Sequence, residues 1–140
     1  MNLEEVYFGF HAPSLDPITS LLGHVEVWGY TADETWVFIN PEHDRLKVAA
    51  LHRYDDVTDA VARRFHHCRS ILRLAPGDRA LRVPLFPPMT CAGVCGHLVG
   101  VRAFTPWGLR AQLLRIGAEI VHEKPQGAEG RPGGEGRARA

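Results

Sequence analysis

Cys91 has the most suggestive setting of the side chains that could act as a nucleophile. Pro84, Pro87 and Pro88 precede it. Proline has no N–H donor and pushes its predecessor into extended backbone, so no helix runs through that approach. Small and apolar residues follow from Thr90, whose hydroxyl suits an N-cap, and this places Cys91 in a first helical turn. Free N–H groups and the positive end of the helix dipole favour a thiolate there. A thiolate needs a base, and the base needs a group that holds its tautomer. Of the eight histidines, His24 has the best position. It follows Gly23 and opens the stretch with the strongest apolar alternation. Asn40, at the far end of the next extended stretch, comes back beside His24 if the two form a hairpin. Its carbonyl could then accept from the imidazole N–H, and His43 competes for the same place. The chemistry implied is attack of Cys91 sulfur on an amide, ester or thioester carbonyl, with His24 handling the proton.

The elements that must position these groups can be read in order. Residues 6–10 are aromatic and β-branched and predict a strand. Residues 13–22 read as a loop with a turn of helix, in which Ser14 or Asp16 is the cap and Pro17 the first position. Residues 24–30 and 35–40 predict two strands joined by the polar 31–34, an antiparallel hairpin stopped by Pro41. A weaker strand covers 45–51. Asp55 and Asp56 offer a cap, and Val57, Ala60, Val61 and Phe65 recur at helical spacing, so 56–66 reads as an amphipathic helix. Residues 70–74 return to strand, 76–78 turn, and 80–84 are extended. After the Cys91 helix, Thr105 caps another, with Pro106 at its first position, Leu109, Leu113, Leu114 and Ile116 inward, and Gly117 at its end. Residues 118–122 close as a strand. The expectation is an α+β fold, an antiparallel sheet with helices packed against one face.

The chain has 140 residues, 16 basic and 16 acidic, and 45% apolar content, which suits one domain with an ordinary core. That domain spans 1–124. Residues 125–140 carry no bulky apolar side chain and read as a disordered tail. Balanced charge gives no footprint for nucleic acid. No stretch has the length of a membrane span, and the acidic start lacks the pattern of a secretion signal. Three cysteines without a CxxC pair indicate free thiols in a reducing compartment. A cytoplasmic location is expected.

Two other readings compete with the thiol chemistry. Cys91, Cys95 and His97 lie close in sequence, and His66, His67 and Cys68 form another cluster, but the Cys91-x-x-x-Cys95-x-His97 spacing matches neither the paired-cysteine nor the paired-histidine pattern of structural zinc. Cys95, one turn beyond Cys91, is expected to face the core. No metal and no cofactor are therefore assigned. The second alternative is a binding or structural module without catalysis, with Trp28, Trp36 and Trp107 lining a groove.

The stretch His24-Val25-Glu26-Val27-Trp28-Gly29, followed by Trp36-Val37-Phe38-Ile39-Asn40, resembles the histidine-bearing hairpin of NlpC-like papain-fold peptidases. In those enzymes the cysteine precedes the hairpin, whereas Cys91 follows it. That order is similar to the circularly permuted branch, which includes lecithin–retinol acyltransferase relatives, bacterial hydrolases and small phage proteins. Thr90-Cys91 followed by Thr105-Pro106-Trp107-Gly108-Leu109 also resembles such proteins. The segment around Cys91 does not carry the Asn-Cys-Glu-His signature of the better-known permuted members. The resemblance covers about residues 6–116 and implies a permuted papain-like core. It implies Cys91 as nucleophile, His24 as base, Asn40 as orienter and the Cys91 N–H in an oxyanion hole. The implied substrate is a peptide-type amide or an acyl ester, and the implied setting is cytoplasmic or phage-associated.

Overall fold

The computed structural model describes residues 3–11, 23–42, 44–77 and 90–125. Among these residues six strands form one antiparallel sheet: β1 (Leu3–His11), β2 (Val25–Thr31), β3 (Trp36–Pro41), β4 (Leu46–Leu51), β5 (Cys68–Leu74) and β6 (Glu119–Glu123). Their spatial order is β4-β3-β2-β1-β5-β6. The first four strands therefore form a meander, and the chain then crosses to the other side of β1. The crossover contains α1 (Tyr54–His67). Two further helices, α2 (Cys91–His97) and α3 (Pro106–Arg115), lie between β5 and β6 in sequence.

The helices cover both faces of the sheet, not one. On one face Val6, Phe8, Val25, Val27, Leu72 and Leu74 pack with Cys95, Leu109 and Leu113 of α2 and α3. On the other, Trp28, Phe38 and Ile71 pack with Ala60, Val61 and Phe65 of α1. Hence β2 is buried at nearly every position, where a sheet with one wet face would alternate. Gly29 permits the close approach of β1 and β2, since a Cβ there would lie 2.4 Å from the Glu5 carbonyl oxygen.

Local signals explain the helix starts unevenly. Thr90 and Thr105 cap α2 and α3, accepting from Gly93 N–H at 3.0 Å and Gly108 N–H at 3.2 Å. At α1 the cap is Arg53, without a side-chain bond, and Asp55 and Asp56 fall inside the first turn. There they favour the positive end of the helix dipole rather than bonding its first N–H groups. In α3 the stripe is narrower than expected: Leu109 and Leu113 are buried, while Leu114 and Ile116 pack only partly against the core. Gly117 follows the helix at φ +100°, a conformation that suits glycine. The expected turn of helix at 13–22, the extended piece at 80–84, the prolines before Cys91, and residues 126–140 of the expected tail lie outside the described residues. Among those described, no helix is long and apolar enough to cross a membrane.

Candidate thiol site

Hairpin closure brings two of the candidate side chains together. Val27 pairs with Ile39 across β2 and β3. One step further sets Glu26 opposite Asn40, and His24 then lies diagonally along the same face, within reach of a polar side chain. The Asn40 Oδ1 accepts from His24 Nε2 at 2.7 Å. This bond fixes the ring tautomer and leaves Nδ1 free to face another group.

The Cys91 sulfur is a second hydrogen-bond partner of the His24 side chain. Helix α2 packs on the β2 end of the sheet, and its first residue meets His24. Burial pushes the Cys91 thiol up, but donors oppose it: the His24 side chain, the Val25 N–H and the Ala92 N–H, with the charge of His24 adding to them. The net effect holds the thiol below its ordinary value. The three side chains Cys91, His24 and Asn40 are all half-buried, so the site is sheltered but not sealed.

The other thiols have different settings. Burial and the nearby Glu26 charge push Cys68 up to about 12. Cys95 is fully buried, its sulfur donating to the Val25 carbonyl at 3.7 Å, and burial raises it strongly. Three cysteines of one chain thus differ by environment alone.

The second zinc cluster considered from the sequence is not assembled: Cys68 is buried, whereas His66 and His67 are exposed and meet edge to face. Cys95 likewise points into the core, away from a shared site with Cys91. His43 lies outside the described residues. The three tryptophans do not share a groove, because Trp28 is buried with half-buried Trp36 on the α1 face, and Trp107 is exposed on α3.

A neighbouring cluster was not singled out by sequence reasoning. His11 Nε2 donates to Glu26 Oε1 at 3.0 Å, and Arg64 lies 3.3 Å from Glu26 Oε2. The His11 ring is 5.1 Å from the His24 ring. His11, Glu26 and Cys68 each offer a possible metal-ligand atom, all within 4.8 Å of one another. Both carboxylate oxygens already have partners in His11 and Arg64, however, and burial keeps the Cys68 thiol protonated, so the group is satisfied without an ion. The one sequence signal for it was a glutamate at an inward position of a strand otherwise apolar.

Neither the family models, the curated proteins nor the solved structures compared with this chain give a match.

Proposed function

We propose that this chain is a thiol hydrolase or acyltransferase in which Cys91 is the nucleophile, His24 the general base and Asn40 its orienter. The supporting observation is the continuous line from the Cys91 sulfur through the His24 ring to Asn40 Oδ1. Proton transfer breaks the Cys91 S–H bond and forms N–H on His24, giving a thiolate beside an imidazolium. The sulfur then attacks a carbonyl carbon. Backbone N–H groups of the first turn of α2, that of Cys91 among them, face the developing oxyanion. His24 returns its proton to the leaving amine or alcohol, and a thioester remains. Water or an acceptor alcohol or amine, deprotonated by His24, releases the acyl group.

The order histidine, asparagine, cysteine on an antiparallel sheet agrees with a permuted papain-like core, and we propose that arrangement for this fold. Peptide-type amides and acyl esters are the substrate classes that go with it.

The test is labelling of the full chain at neutral pH with a chloroacetamide probe, read peptide by peptide. Selective modification of Cys91 over Cys68 and Cys95, lost in His24→Ala, is the expected result. Slow, equal modification of all three thiols would overturn it and leave a non-catalytic module.

A further inference from the structure

We infer that Glu26 is the buried counter-charge of the His24 imidazolium, a positioning residue that favours the thiolate–imidazolium form of the site. The inference rests on the reading of Cys91 and His24 as a reactive pair. Glu26 is 4% exposed on β2, and its partner His11, 3.0 Å from Oε1, has its ring 5.1 Å from that of His24, which sets the carboxylate close to the His24 imidazole. Such a carboxylate is found in a core only when its oxygens are paired, and here both are. His11 of β1 donates to Oε1 and Arg64 of α1 sits at Oε2. Arg64 is itself clamped, its guanidinium 4.3 Å from the Phe38 ring centre and 5.7 Å from that of Trp28.

The charges facing this carboxylate come from every packed element. His11 belongs to β1, His24 directly precedes β2 and Arg64 belongs to α1, while Cys68 of β5 stays a neutral thiol and Lys124, beyond β6, acts on Cys68. Cys91 of α2 is hydrogen-bonded to the His24 side chain, which Asn40 also holds. Burial raises the Glu26 carboxyl, but the His11 hydrogen bond and the charges of Arg64, His11 and His24 hold it below the usual carboxylate value. Attraction is mutual. A carboxylate held anionic beside the His24 ring favours that ring carrying the proton taken from Cys91, so the pair S⁻/ImH⁺ gains over SH/Im. Glu26 touches no reacting atom and acts only through His24.

The measurement is the rate of Cys91 alkylation by iodoacetamide in the full chain, taken as the ratio of the rate at about pH 6.5 to that at about pH 10, where Cys91 loses its proton without help. In Glu26→Gln the ratio is expected to fall by about five-fold or more, and in Glu26→Asp to stay within about two-fold of the parent. Glu26→Gln sets an amide N–H against Arg64, so the double variant Glu26→Gln/Arg64→Met, which strands no charge, guards against misfolding. Its ratio is expected to fall by about three-fold or more. A folded Glu26→Gln or double variant with the parent's ratio overturns the inference, and so does Glu26→Asp falling as far as Glu26→Gln. If His24→Ala leaves the parent's profile unchanged, the Cys91–His24 pairing itself fails, a different result from either of these.

Discussion

At the scale of single residues, one hydrogen-bonded line separates Cys91 from two other free thiols. Its sign with pH follows from the direction of the shift. A thiol held below its ordinary value keeps a reactive fraction of thiolate at lower pH, so Cys91 should be modified below the pH at which Cys68, near 12, reacts. Removing the base should cost more than removing its orienter. His24→Ala is expected to lower turnover of an activated ester by about 10²–10⁴-fold, and Asn40→Ala by less, because a general base contributes the proton transfer itself. Steady-state hydrolysis of p-nitrophenyl acetate, with Cys91→Ala as the blank, checks the ranking. Glu26 carries a prediction for stability. Its carboxyl lies below the usual 4.5 in the folded chain. The unfolded chain therefore binds its proton first as pH falls, and the stability it provides is whole above 4.5 and lost as pH drops through the folded value. Denaturant titrations between neutral and acid pH should show a shallower loss for Glu26→Gln/Arg64→Met than for the parent.

At the scale of elements, the position of the sulfur depends on a short helix with little room to move. Thr90 caps α2 through a 3.0 Å bond to Gly93 N–H, and Thr90→Ala should cost about 1 kcal/mol of stability. The same change should slow Cys91 alkylation at neutral pH more than its stability loss suggests, since the cap also fixes the first turn. Gly96 sets the other end. A Cβ there would lie 2.5 Å from the Val101 carbonyl oxygen and 3.2 Å from Leu109 Cδ1. Gly96→Ala must therefore push α2 away from the segment leading into α3, at a cost of about 1–3 kcal/mol. Chemical denaturation of both variants gives the energies.

At the scale of the whole molecule, the sheet with helices on both faces is what gives a 140-residue chain two apolar layers. The layer that carries α2 and α3 also carries the thiol. Leu109, fully buried between α3 and the sheet, should lose about 2–5 kcal/mol on replacement by alanine, read from the denaturation midpoint. The outer strand β4 is exposed along most of its length, Leu46 at 53% and Val48 at 59%. Charged Lys47, paired with Glu42 at 2.6 Å, blunts an edge that would otherwise invite pairing with another chain.

The sequence by itself determined what depends on near neighbours. The strand pair 24–40, the caps Thr90 and Thr105, the helix from Pro106 and the inward spacing of Cys95 all follow from residues within a few positions of one another. Closure of one hairpin was enough to bring Asn40 to His24. Only the tertiary structure decided the rest. The crossover that sets β5 beside β1, and so sends α1 to one face and α2 with α3 to the other, depends on contacts between residues far apart in the chain. Periodicity marks which side of a helix is apolar but not which face of the sheet it covers. The same holds for His11, Glu26 and Arg64: set on two strands and a helix far apart in sequence, they carry no shared spacing, and they meet because a buried carboxylate must find its partners wherever the fold supplies them.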